Sequence, residues 1–243
     1  MEVKKGFNPA VWEVQHDQLQ EEHNTGMARR RYGEQGYLDN LKGIFFHIPK
    51  CGGTTLSKLW SPNDVSNLGH APWFMVKEQM YKYAPQGPKA WERAIKFAMV
   101  RNPWDRAVSW FYGYGVRNEP SIAEDMQSDD YELHRKHFVH WCFNTGAVMM
   151  NSSTFRTEGL ITKSGYGLQI DYVMKFEDFE FEVTNVSNLL GVERPKVTPQ
   201  LNPSTLRPRD LDYQFYYETD EFLQGLVAGW GWFEIKHMGY SFR

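Results

Sequence analysis

The chain has 243 residues, a fitting length for one α/β domain, with 41% hydrophobic and 23% charged residues, which excludes a disordered polymer. Lys and Arg number 27 against 30 Asp and Glu, giving a formal charge of −3. That excludes a general nucleic-acid binder, which needs a basic surplus to neutralise phosphates, but it leaves room for a local basic pocket.

Residues 1–36 are polar and read as an N-terminal arm ahead of one domain over 37–243. Within the arm, Trp12–His23 suits a helix, and Arg29–Arg31 form either a solvated face or a basic lip for an acidic acceptor. No apolar run reaches the ~18 residues of a membrane span, and Met1–Ala10 has none that suits a signal peptide. The expectation is a cytoplasmic chain without a membrane span. Two cysteines, Cys51 and Cys142, cannot make a disulfide framework.

Gly43–Ile48 (GIFFHI) is an apolar run without helical period and predicts a buried strand. A turn over Pro49–Gly53 follows, then a helix start in Thr54–Trp60. Lys96–Val100 predicts a second buried strand, with Asn102 as N-cap and Pro103 at the first position of a helix running to about Tyr112. On that helix Trp104, Ala107, Val108 and Phe111 make an apolar stripe, while Asn102, Asp105 and Ser109 fall on another face. His134, His137 and His140 read as one polar helix face rather than a metal grip, and no Cys/His cluster has zinc spacing, so no metal is expected. Ile170–Phe176 predicts a third strand, Phe179–Leu190 a helix stopped by Gly191, 192–210 a proline-rich loop, and Asp212–Val227 a last helix before an aromatic tail that docks on the core. Strands alternating with helices imply an α/β fold with a central, mostly parallel sheet flanked by helices.

Two strand-to-helix junctions carry the chemistry. His47–Thr55 (HIPKCGGTT) is a glycine turn that lets backbone N–H groups approach an anion. It differs from a nucleoside-triphosphate loop, which sets Lys and then Ser or Thr after the last glycine. Here Lys50 precedes Gly52 and Gly53, and Thr54 and Thr55 supply hydroxyls, so the site suits a phosphate-like group without obligatory magnesium. Arg101–Ser109 (RNPWDRAVS) puts a guanidinium and a hydroxyl at the second junction, a combination suited to another phosphate.

Together these strings resemble the sulfotransferases that use 3′-phosphoadenosine 5′-phosphosulfate, above all the carbohydrate 2-O-sulfotransferase branch and its bacterial relatives. The resemblance runs over about 43–243, because Phe176–Glu177 and the ending Gly239–Phe242 also look family-like. It implies a P-loop-like fold. Lys50, Cys51, Gly52, Gly53, Thr54 and Thr55 would hold the 5′-phosphosulfate, and Arg101 and Ser109 the 3′-phosphate. Cys51 stands where the family commonly has Thr, and a cysteine beside Lys50 at a helix start would have a lowered pKa and be open to oxidation.

In-line sulfuryl transfer needs charge stabilised on the leaving oxygen, a role for Lys50, and a base for the acceptor hydroxyl. His70, in Asn67–Pro72 (NLGHAP) after a strand and before a helix, is the expected base. His47 is the rival, and Glu78 and Glu177 are reserves. Arg207 and Arg209, in the proline-rich loop, either close over the nucleotide or belong to a solvated loop. The resemblance suggests a carbohydrate hydroxyl as acceptor, and Trp73, Trp91 and Trp141 are candidates to stack on sugar rings. A small-molecule or nucleotide kinase and a catalytically inactive nucleotide-binding module are the competing readings, with magnesium dependence as the discriminator for the kinase.

Overall fold

An apolar run with no polar face suits a strand covered on both sides, and GIFF forms β1 (Gly43–Phe46), buried throughout. The computed structural model describes residues 22, 25–34, 36–151, 156–163, 167–196 and 206–242. Its strands continue with β2 (Val65–Ser66), β3 (Ile95–Val100), β4 (Thr162–Lys163), β5 (Gly167–Leu168) and β6 (Tyr172–Lys175). The helices are α1 (residues 25–32), α2 (Gly53–Leu56), α3 (Trp73–Tyr83), α4 (Gly87–Arg93), α5 (Pro103–Trp110), α6 (Val116–Asn118), α7 (Pro120–Asp125), α8 (Tyr131–Trp141), α9 (Ala147–Asn151), α10 (Thr157–Ile161), α11 (Phe179–Leu190), α12 (Glu221–Trp230) and α13 (Trp232–Met238).

The main sheet has the order β2-β1-β3-β6, and every pair is parallel. After β1 the chain turns outward to β2 and then crosses to the other side of β1 for β3. That reversal opens a crevice beyond the carboxyl ends of β1 and β3, the usual ligand position in an open parallel sheet. One apolar core surrounds the sheet and includes Phe45, Phe97, Met80 and Val186. A second lies among the helices, around Trp104, Phe111, Phe138, Tyr217 and Val227.

The three sheet strands expected from the sequence are present, as is α11, closed by Gly191 in the left-handed region at φ 62°. Three expectations change. The helix after the glycine turn is a single turn, α2. The helix after Pro103 does not stop near Tyr112 but passes through a π-helical turn, Phe111–Gly115, into α6. The expected Asp212–Val227 helix is broken into a 3-10 turn, Tyr213–Tyr217, and α12, because Asp220 caps a new start by accepting from the Leu223 N–H.

The Trp12–His23 helix lies outside the described residues apart from residue 22, as do residues 197–205 of the proline-rich loop. The described end of the N-terminal arm is no solvated tail. Ala28 and Tyr32 are buried in the sheet core, and the Tyr32 hydroxyl meets Ser66 Oγ on the edge strand β2 at 3.0 Å. Arg31 donates to the Asn67 carbonyl, while Arg29 and Arg30 are exposed.

Candidate functional site

The glycine turn leaves β1 with two residues in the left-handed region, Lys50 at φ 64° and Gly52 at φ 77°. For a lysine that conformation costs about 1–2 kcal/mol, so the surroundings must hold the loop. Two bonds do so, one from Arg106 in α5 and one from Arg101, two residues ahead of that helix. The Arg106 Nε–H donates to the Pro49 carbonyl at 3.0 Å, and Arg101 donates to the Lys50 carbonyl at 3.2 Å. Gly52 is needed for space as well as for its φ, since a Cβ there would fall 3.1 Å from the Phe176 ring. No side chain caps α2, and the N–H groups of Gly53 and Thr54 make no hydrogen bond among the described residues. Donors left open at a helix start are the raw material of an anion site.

The second junction is built differently. The Asn102 carboxamide oxygen accepts from the N–H groups of Trp104 and Asp105, so the start of α5 is already capped. Anion-binding capacity rests on side chains instead. Arg101 pairs with Asp105 at 2.6 Å and lies over the Phe176 ring at 4.3 Å. Arg207 reaches the other Asp105 oxygen at 2.7 Å. Burial opposes charge on Asp105, but the two guanidiniums outweigh it and hold the carboxyl below its usual range. Ser109 lies one turn further along the same face, half-buried, and its hydroxyl makes no hydrogen bond among the described residues. Phe176, at the end of β6, touches Gly52 and Arg101 and so joins the two loops.

The Lys50 ammonium stands in a cationic setting. Burial lowers its pKa first, and the charges of Arg101 and Arg117 lower it further. His70 enters from the turn after β2. Its Nδ1 lies 2.8 Å from the His47 carbonyl, which can only accept, so Nδ1–H donates and the lone pair of the neutral ring sits on Nε2. The two histidine rings lie 4.3 Å apart, and Gly53 packs so close that a Cβ there would fall 1.9 Å from the His47 ring. Burial, and then the neighbouring His70, push the His47 pKa down to about 3, so His47 is neutral support for the loop.

A family model described as the sulfotransferase family matches residues 38–211. The chain belongs to the sulfotransferase family. No curated protein and no solved structure matches it. The fold of this sulfotransferase is the P-loop-like α/β arrangement that the sequence suggested, and sulfuryl transfer is its chemistry.

Several expected side chains change role in the sulfotransferase. Cys51 is buried with its thiol toward the Pro49 carbonyl, and burial pushes its pKa up to about 12, opposite to the lowered value expected from its place beside Lys50. Glu177 is structural: its carboxylate accepts from the Asn102 N–H at 2.7 Å and from the Tyr240 hydroxyl at 2.6 Å. Glu78 is exposed on α3. Trp91 and Trp141 are core residues and present no face to a sugar, while Trp73 is half-buried and donates to the Thr162 carbonyl. His134 uses both ring nitrogens on Tyr112 and Ser128, and His137 contacts Asp125. Among the described residues no helix is long and apolar enough to cross a membrane.

Sequence reasoning missed the tie behind the loop. Arg106 donates to Thr157 at 3.1 Å and to Glu234 at 3.2 Å, and both partners are buried with it. The signal was an arginine placed between Trp104, Ala107 and Val108, where only a buried partner makes a charge tolerable.

Proposed function

We propose that this enzyme moves the sulfuryl group of 3′-phosphoadenosine 5′-phosphosulfate onto a carbohydrate hydroxyl, with His70 as the base. The observation that carries the reading is the meeting of two anion-suited junctions at neighbouring strand ends. One offers open backbone donors and Lys50, the other Arg101 and Ser109, and Arg101 is bonded to the Lys50 carbonyl between them. In this reading the backbone of Gly52–Thr54, with Lys50 and the Thr54 and Thr55 hydroxyls, holds the 5′-phosphosulfate, with Cys51 packed beneath. Arg101 and Ser109 hold the 3′-phosphate. Arg207, already tied to Asp105, closes the nucleotide side.

The acceptor oxygen forms a bond to sulfur as the bond from sulfur to the 5′-phosphate oxygen breaks. The acceptor proton passes to Nε2 of His70, whose tautomer is fixed by the His47 carbonyl. Lys50 donates to the departing phosphate oxygen, where negative charge gathers. The products are a sulfate ester and adenosine 3′,5′-bisphosphate.

A thermal-shift titration tests the donor. A ligand at one hundred times its dissociation constant adds about 2.7 kcal/mol, on the order of 5–10 °C for a chain of this size. Adenosine 3′,5′-bisphosphate should give that shift and 5′-AMP should not. A shift with magnesium-ATP alone would overturn the reading in favour of a kinase. A panel of polysaccharides and small hydroxyl acceptors, scored by sulfate-ester formation, then tests the carbohydrate assignment.

A further inference from the structure

The helix that follows Arg101 contains two glycines, Gly113 and Gly115, inside its π-helical turn Phe111–Gly115. Glycine is a poor helix former, so its presence inside a helical run calls for a close approach from outside. Both positions have one. A Cβ on Gly115 would fall 2.8 Å from the Trp141 indole, which is core packing. A Cβ on Gly113 would fall 2.0 Å from Nζ of Lys50 and 3.0 Å from its Cε. The Lys50 side chain therefore runs from the glycine turn to the bare backbone of Gly113 and ends there. Its ammonium makes no hydrogen bond or ion pair among the described residues.

The wall of this recess cannot easily retreat. On one side of Gly113, the Tyr112 hydroxyl donates to His134 Nδ1 at 2.7 Å and receives the Tyr216 hydroxyl at 2.8 Å. On the other side Gly115 is pressed against Trp141. A π-helical turn inserts a residue and re-aims the next turn of helix, and such turns recur at functional sites. Between a pinned backbone and the end of a flexible side chain, the side chain yields.

We propose that Gly113 is a positioning residue for sulfuryl transfer: its missing side chain makes the recess that holds the Lys50 ammonium between the two anion-binding junctions, and any side chain there drives the ammonium out. The proposal rests on the reading of Lys50 as the residue that meets the leaving oxygen. The groups that face the ammonium are Arg101, Arg117 and the buried Cys51.

The test compares wild type, Gly113→Ala, Lys50→Ala and the double variant. The first readout needs no nucleotide. The rate at which trinitrobenzenesulfonate labels Lys50 is followed by peptide mass spectrometry across pH. In Gly113→Ala the midpoint of labelling should rise toward that of an ordinary lysine, because the ammonium leaves its buried, cation-rich place. The second readout is calorimetric binding of adenosine 3′,5′-bisphosphate. Gly113→Ala should weaken it on the order of tenfold, as expected for a lost charged contact, and should add nothing in the Lys50→Ala background. The melting temperature should hold, since alanine is the better helix former. An unchanged labelling profile overturns the recess. Equal weakening with and without Lys50 shows that Gly113 acts on the fold and overturns the positioning role. A wild-type protein that ignores the bisphosphate sinks the donor reading, and the role in transfer with it, whatever the labelling shows.

Discussion

The two junctions solve one electrostatic problem in opposite ways. The first is built from backbone: Gly52 in the left-handed region, a helix start without a cap, and N–H groups open to a ligand. The second is built from side chains: Asn102 takes the N–H groups of its own helix, and Arg101 and Ser109 are left to meet an anion. A backbone cradle is fixed by turn geometry and fits one shape of oxyanion closely. A guanidinium reaches its phosphate on a side chain and can be neutralised meanwhile by a resident carboxylate, as Asp105 does here. Under the proposed function this contrast becomes a division of labour, with the reacting group held by the rigid junction and the distant phosphate by the adjustable one.

The largest expected effect separates chemistry from holding. If His70, held at the first junction through the His47 carbonyl, is the base, His70→Ala should cost about 10²–10⁴ in turnover and leave bisphosphate affinity nearly unchanged. Arg101→Ala should do the reverse, with affinity as the main loss. Both variants failing in the same parameter would erase the distinction. Next in size is the tie behind the first loop. Arg106→Ala leaves the Glu234 carboxylate buried without its partner, and stability measured by denaturant should fall by about 3–5 kcal/mol. The matching cut at the second junction, Arg207→Ala, should cost about 1 kcal/mol, because Asp105 keeps Arg101. Similar losses at both would mean that the first loop is no more firmly held than the second.

Legibility in the sequence divides between local and distant partners. The strands were legible because a buried parallel strand is a short apolar run, and both junctions because glycine turns and Asn-Pro caps are local chemistry. Residues whose partners lie far along the chain were not. Arg106 meets Pro49, Thr157 and Glu234 only once three segments are folded together. The break before α12 escaped notice because Asp212–Val227 has helix-compatible residues throughout. The Asp220 cap starts α12 afresh, and Tyr216 and Tyr217 of the 3-10 turn before it are buried. For Cys51 the sequence shows only Lys50 beside it and the helix start after it, whereas burial, the larger influence on the thiol, exists only in the folded chain.

Acid should find the first junction before the second. The folded pKa of His47 is lowered to about 3, against 6.5 for an unperturbed imidazole. Between those values the unfolded chain holds a proton that the folded chain refuses. Stability is therefore complete above about pH 6.5 and is lost as pH falls, by up to about 1.4 kcal/mol per unit. Asp105 also has a lowered folded pKa, so its contribution is lost only below the ordinary carboxylate range. Denaturant midpoints from pH 7 to 5 should slope downward in wild type and flatten in His47→Gln. Equal slopes would remove His47 as the cause.

A pair of modest effects bears most directly on the contrast between backbone and side chains. Gly52→Ala forces a Cβ into the left-handed region and against Phe176, at about 1–2 kcal/mol of stability. Asn102→Ala removes the cap of α5 at about 1 kcal/mol. The two are near equals in stability, so stability cannot explain a difference in binding. If the first junction binds through its backbone, Gly52→Ala should weaken adenosine 3′,5′-bisphosphate on the order of tenfold, because it distorts the donors themselves. If the second junction binds through Arg101 and Ser109, Asn102→Ala should stay within about twofold of wild type, because both side chains remain. Equal weakening would mean that the start of α5 also serves as an anion site, and the two junctions would then be variations on one design.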